Sequence, residues 1–194
     1  MSVSRSPDGL WELMPTALGI EVVTVGERRA RARIEKSVDA SFSADGRSIA
    51  FRTPARASFE VPFRTFSSLD DLDREARAIE RERSIATKFI SNGNGVFTTL
   101  RYTKRDVDGE SVLLELAKRF GPPPIWVIAV PELDDLERAA GPLFDKLGGP
   151  RFEAAFRASG WWLRWWPRGG GEVEASGLRE AVAQARKSLD SRIG

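Results

Sequence analysis

The spacing of apolar residues changes near residue 66, and this change restricts the fold more than any other feature of the sequence. Between residues 19 and 66, short runs of alternating apolar and polar residues are separated by turn sequences such as SADGR and TPAR, a pattern typical of antiparallel strands. From residue 69 onward, apolar residues recur every three or four positions in several segments, as in amphipathic helices. The sequence therefore predicts an α+β fold in which an N-terminal antiparallel β-meander is followed by a helix.

Two local signals mark the end of the meander. Pro62 stands within the alternating run ASFEVPF, and because proline lacks an N–H group we expect this strand at a sheet edge. Ser68 and Asp71 are spaced like a capping box at the start of a helix. The helix is predicted to bury one stripe of apolar side chains: Leu69, Leu72, Ala76 and Ile79.

The second half of the sequence alternates strand and helix patterns. A β-hairpin is predicted around the sequence SNGNG at 91–95, because Asn-Gly supplies the positive φ angles of tight hairpin turns. A helix is expected to end at Phe120, before Gly121 and three prolines. The run IWVIAV at 125–130 predicts a central buried strand, followed by a helix from Pro131. The C-terminal portion is thus α/β and closes with a helix after residue 176.

The length of 194 residues fits one domain, since single domains reach roughly 200 to 250 residues. We therefore predict a single domain over residues 1–194. If the chain divides, the change of pattern places the boundary between a β-rich part, 1–66, and an α/β part, 67–194.

The absence of both cysteine and histidine limits the chemistry of the chain. It excludes disulfides, thiolate metal sites, iron–sulfur clusters and thiol nucleophiles, and it removes the commonest general base. No glycine-rich phosphate loop is complete, so no cofactor is expected. Together these absences favour a protein that is not an enzyme.

The amino terminus, MSVSRSPDGLWELMP, lacks the apolar run of a signal peptide, and no segment approaches the ~18 apolar residues of a membrane span. Arginine also outnumbers lysine, as in proteins of GC-rich genomes. We expect a bacterial cytoplasmic protein without membrane contact. The 30 Lys and Arg residues nearly balance the 28 Asp and Glu residues, so binding to nucleic acid is expected to be weak.

The most unusual motif is the run WWLRWW at 161–166, which holds four of the six tryptophans. In a strand, alternate residues point to opposite faces. Trp161, Leu163 and Trp165 would then fill the core, and the other face would present Trp162, Arg164 and Trp166. We predict that these last three residues form a binding surface in which Arg164 lies between two indoles.

A second candidate site consists of Arg29, Arg31 and Arg33, which would share one side of a strand. Three guanidinium groups in a row can bind phosphates or an acidic partner. The alternative interpretation is a solvated strand face whose arginines pair with acids across the sheet.

Asp106, Asp108 and Glu110 form a possible oxygen-ligand cluster, but position six of a calcium loop would be Ser111 rather than glycine, and position twelve would be Ala117. A polar turn explains the acids better, and no metal site is predicted. The sequence as a whole favours a non-enzymatic binding protein that acts through protein–protein contact. Two alternatives are a nucleic-acid-binding module that uses Arg and Trp side chains, and a carboxylate-based, metal-dependent hydrolase.

Overall fold

The structure is a computed structural model that describes residues 4–27, 29–91, 95–103, 109–140, 151–158, 160–166 and 170–191. These residues form an α+β fold with four helices and thirteen strands, as predicted. The strands are β1 (Ser4–Arg5), β2 (Trp11–Thr16), β3 (Gly19–Thr24), β4 (Ala30–Glu35), β5 (Asp39–Phe42), β6 (Ser48–Arg52), β7 (Ser58–Phe66), β8 (Ile85–Ser91), β9 (Val96–Tyr102), β10 (Ile125–Ile128), β11 (Phe152–Arg157), β12 (Gly160–Trp165) and β13 (Gly171–Ala175). The helices are α1 (Leu69–Arg83), α2 (Gly109–Phe120), α3 (Pro131–Ala139) and α4 (Leu178–Asp190).

The seven N-terminal strands, together with β10, form two four-stranded sheets that pack together. One has the order β1-β2-β3-β4 and is antiparallel throughout, and the other has the order β10-β7-β6-β5. Apolar side chains from both sheets meet in a smaller core: Trp11, Leu13, Ile20, Val22, Ala32, Ile34, Ile49, Phe63 and Val127. The predicted antiparallel meander is confirmed within β1–β4 and within β5–β7.

Strand β10 joins this sheet from the second half of the chain. It pairs with β7 in parallel, through Ile125 opposite Phe63 and Ile128 opposite Phe66. Ile125 and Val127 face the smaller core, while Trp126 and Ile128 belong to the larger core described below. The apolar run is therefore buried on both faces, as predicted, but β10 lies at the end of its sheet rather than at its centre.

Strand β7 corrects the expectation drawn from Pro62. It is an inner strand, between β6 and β10. The backbone N–H of Phe63 donates to the carbonyl of Arg47 on the β6 side at 2.7 Å, so the nitrogen of Pro62 points to the other side. Pairing with β10 begins only at Phe63, and Pro62 therefore costs no hydrogen bond with β10.

The larger core lies on one face of a five-stranded sheet of order β13-β12-β11-β8-β9. Helices α1, α3 and α4 cover this face, which we call the inner face. The predicted stripe of α1, Leu69, Leu72, Ala76 and Ile79, is buried in it. Ser68 caps the helix as predicted, but its hydroxyl accepts a hydrogen bond from the backbone N–H of Asp70, at 3.2 Å, rather than from that of Asp71.

Other local predictions are met within the described residues. Strands β8 and β9 form the predicted antiparallel hairpin, although residues 92–94 of its turn lie outside the described residues. Helix α2 ends at Phe120, and Gly121 follows with a φ of 73°. Pro131 begins α3. No helix among the described residues is long and apolar enough to cross a membrane.

Candidate functional site

Strand β12 separates its large side chains as its alternation predicts. Trp161 and Trp165 are each 1% exposed and lie in the larger core with Leu163. Arg164 is exposed, and Trp162 and Trp166 are partly exposed on the opposite, outer face. The predicted division of the tryptophans between core and surface is confirmed.

Contacts in the core fix the orientation of β12. The indole Nε1 of Trp161 donates to Asp73 Oδ1 of α1 at 2.6 Å, and its ring stacks on Phe89 with centroids 5.3 Å apart. Behind Trp165 lies Gly171, where a Cβ atom would stand 2.7 Å from the indole Cε2. These contacts fix which side chains of β12 point into the core, and they therefore also fix which side chains point outward.

Each outer-face tryptophan has its own arginine. The guanidinium carbon of Arg157, on β11, lies 4.2 Å from the Trp162 ring centroid, and that of Arg164 lies 5.0 Å from the Trp166 ring centroid. The expected arrangement, with Arg164 between two indoles, is not observed: Arg164 stacks on Trp166, and it is Arg157 that stacks on Trp162. We call Arg157, Trp162, Arg164 and Trp166 the Arg/Trp surface.

Arg157 was not found from the sequence, because the pattern of residues 152–157 assigns no element to them. The structure pairs β11 with β12, with Arg157 opposite Gly160. Gly160 could have indicated this position, because glycine is common beside the short connection of a β-hairpin. A hairpin at this point would place Arg157 beside Trp162.

Carboxylates lie on the same outer face. Strand register places Glu153 and Glu172 on either side of Arg164, and Glu174 opposite Trp162. Glu153 forms an ion pair with Lys88. Among the described residues, no ion pair joins Arg157, Arg164, Glu172 or Glu174 to any other side chain, so the surface presents unpaired charges of both signs.

A groove of about 530 Å³ opens beside this surface. Arg157 and Trp162 line it together with Glu174 and Ser176. Helices α1 and α4 pack against β11–β13 on the inner face. The groove lies at the end of the sheet where β11 ends and β12 begins, since Trp161 and Ala175 of the inner face also line it.

The second predicted site, Arg29, Arg31 and Arg33, is not one row of equivalent arginines. Arg33 is exposed and donates to Glu21 Oε1 of β3 at 3.0 Å from Nε and 2.5 Å from Nη2. This is the cross-strand pairing of the alternative interpretation, because Glu21 is the register partner of Arg33.

Arg31 is 6% exposed and belongs to a buried ionic cluster. The register of β3 and β4 shifts so that Val22 and Val23 oppose Ala32 and Ala30, which leaves Arg31 as the extra residue of a β-bulge. The guanidinium of Arg31 donates to both carboxylate oxygens of Asp134 on α3 at 2.8 and 3.0 Å. It also donates to the carbonyl of Ile128 at 3.1 Å.

Arg29 completes this cluster. Its Nη2 lies 2.6 Å from Glu137 Oε2 and 3.2 Å from Asp134 Oδ1, and Glu137 is only 2% exposed. The cluster joins β4 to α3 and uses the charges of Arg29 and Arg31 internally. Sequence reasoning missed the two acids, although their spacing of three residues places them on one side of a helix.

The acidic motif at 106–110 lies largely outside the described residues: Asp106 and Asp108 are not described, and neither is the side chain of Glu110. Within the part of the chain that the structure describes, no group of three His, Cys, Asp or Glu side chains is placed to hold a metal ion.

Comparison with known proteins finds no matching family, no matching curated protein and no matching solved structure. The fold and the Arg/Trp surface are therefore the basis for assigning a function.

Proposed function

We propose that this protein is a non-enzymatic binding protein that contacts a protein partner through the Arg/Trp surface. One observation carries the proposal: two arginine–indole stacks stand side by side on an open sheet face whose other side is fixed in the core. Tryptophan and arginine are the residues that most often dominate the binding energy of protein interfaces.

The arginine–indole stacks preorganise the arginine and tryptophan side chains for binding. An arginine held against an indole has already lost part of its rotamer freedom, so less entropy is lost when a partner binds. The N–H groups at the guanidinium edge remain available for carboxylate or carbonyl oxygens of a partner. Arg157 and Arg164 can thus supply directional hydrogen bonds while Trp162 and Trp166 supply apolar area.

The charges on the face favour a protein over a nucleic acid. Glu172 and Glu174 are exposed on the same face as the arginines, and they would repel a phosphate backbone. The net charge of +2 also provides little counterion release. A partner with both charged signs and an apolar centre fits this surface better.

The proposal is tested by quantitative affinity capture from nuclease-treated host lysate. We expect Trp162→Ala and Arg164→Ala each to reduce the captured partner at least about tenfold, as for residues at the centre of an interface. Phe59→Ala is the matched control, because Phe59 is an exposed aromatic residue on β7, in a different sheet. This control should capture as much partner as the unchanged protein.

Urea unfolding of the variants distinguishes a loss of partner binding from a loss of folding. Trp161→Ala should lose about 3 to 5 kcal/mol of stability, the range for a buried aromatic residue, whereas Trp162→Ala should lose less than about 1 kcal/mol. Capture that is unchanged by Trp162→Ala and Arg164→Ala would contradict the proposal. Submicromolar binding of a random oligonucleotide at ~150 mM salt, with a steep salt dependence, would replace it with the nucleic-acid alternative.

A further inference from the structure

Strand β13 lies at one edge of the five-stranded sheet. Among the described residues it pairs with β12 alone. The opposite edge strand, β9, lies against β4 and β10 of the N-terminal sheets. An edge strand carries unpaired N–H and C=O groups on alternate residues, which can hydrogen-bond to an added strand.

Charged and apolar side chains alternate along β13. Glu172 and Glu174 are exposed on the outer face, beside Arg164 and Trp162, while Val173 and Ala175 are half-buried on the inner face near α4. Neither glutamate forms an ion pair with a described residue. Two unpaired carboxylates therefore stand at alternate positions along an edge with unpaired backbone groups.

The same charges oppose pairing between two copies of this chain. In an antiparallel pair of β13 strands centred on Val173, Glu172 of each copy would face Glu174 of the other. Like charges directly opposite each other destabilise a sheet. The occupant that this edge favours is thus a strand of opposite charge.

We infer that β13 binds an extended partner segment with lysine or arginine at alternate positions and small apolar residues between them, which adds to the sheet as a sixth strand. This inference rests on the proposed function and specifies its partner. The basic side chains would lie beside Glu172 and Glu174, and the apolar ones beside Val173 and Ala175. Backbone hydrogen bonds supply affinity in strand addition, and the alternating side chains supply specificity.

Fluorescence anisotropy with synthetic nine-residue peptides tests the inference. We expect a labelled peptide of alternating lysine and valine to bind, and one of alternating glutamate and valine not to bind. In the double variant Glu172→Lys, Glu174→Lys, the preference should reverse by at least about tenfold, since attraction and repulsion at two cross-strand positions are exchanged. Because Glu172 lies opposite Arg164, the double variant should melt at a somewhat lower temperature, and the peptides are compared at a temperature at which circular dichroism shows the variant to be folded.

Backbone methylation separates strand addition from simple charge attraction. An added strand pairs with β13 through the amides of one edge, and a peptide with N-methyl groups on all its amides has no edge that can pair in either orientation, so this peptide should not bind. Binding of the fully methylated peptide equal to that of the unmethylated one, no binding of the lysine–valine peptide, or no reversal in the double variant would overturn the inference. If the lysine–valine peptide does not bind but capture of the partner still depends on Trp162 and Arg164, only strand addition is refuted. If capture is independent of those two residues, the proposed function itself falls.

Discussion

Two arginines on one strand show how much the role of a residue depends on its surroundings. Arg31 and Arg33 are separated by a single residue on β4, and both pair with carboxylates. The guanidinium of Arg31 is buried against α3, where it pairs with Asp134. Arg33 is exposed to solvent, where water screens its interaction with Glu21. The two ion pairs should therefore differ greatly in their effect on stability.

We predict that Arg31→Ala lowers the free energy of unfolding by about 3 kcal/mol, at the lower end of the range for breaking a buried ion pair, because Asp134 loses its two hydrogen bonds from Arg31 and keeps only Arg29 at 3.2 Å. Arg33→Ala should cost no more than about 1 kcal/mol, as for exposed ion pairs. Urea denaturation of the two variants checks this difference. Similar losses for both would show that Arg31 is not held in a buried cluster.

At the scale of elements, one ion pair joins two helices that are far apart in the sequence. Nε and Nη2 of Arg179, on α4, donate to the two carboxylate oxygens of Asp70, on α1, each at 2.9 Å. The hydrogen bonds from Arg179 hold the pKa of Asp70 below its ordinary value of 3.8, and the same contact raises the pKa of Arg179. Because its folded pKa is lowered, Asp70 stabilises the fold above its unfolded pKa and loses this effect as the pH falls through its folded pKa.

Asp70→Asn should therefore lower the melting temperature at pH 6, and this difference should shrink as the pH falls below about 4 and disappear once the pH is below the lowered folded pKa of Asp70. Thermal unfolding of both proteins between pH 2 and 7 measures the effect. Asp71→Asn is the control in the same helical turn, because Asp71 pairs with Arg74 of α1 itself and not with α4. A difference that stays constant across the pH range would contradict the assigned role of Asp70.

In the molecule as a whole, strand β10 lies between the two hydrophobic cores and contributes side chains to both. Its Val127 side chain lies in the smaller core and its Trp126 side chain in the larger one. The smaller core therefore requires a strand from residues 125–128, well beyond the predicted boundary near residue 66. The division into 1–66 and 67–194 stays a prediction, and the shared strand provides a way to test it.

We predict that both cores unfold in one cooperative transition, because unfolding of β10 removes buried apolar side chains from each core. Fluorine NMR of protein labelled with 5-fluorotryptophan can follow Trp11 in the smaller core and Trp161 in the larger one during a urea titration. Their midpoints should coincide, and a fragment of residues 1–66 should not fold alone. Separate midpoints would instead establish two independently folding parts.

Features that depend on spacing within one element could be predicted from the sequence. The buried stripe of α1, the β8–β9 hairpin and the two faces of β12 follow from local periodicity and turn chemistry, which operate whatever the neighbouring elements are. Trp162, Arg164 and Trp166 were placed on one face for this reason, although their role in binding stays a prediction.

Which elements contact one another could not be predicted from the local sequence pattern. The pairing of β7 with β10, the burial of Arg31 against α3, the stacking of Arg157 on Trp162 and the edge position of β13 all depend on contacts between separate elements. Local pattern carries little information about such contacts, because strands with similar alternation can pair with many partners and an arginine can be solvated or buried at the same position in a strand. The packing of distant segments thus turned one predicted arginine row into a buried cluster and left the Arg/Trp surface open.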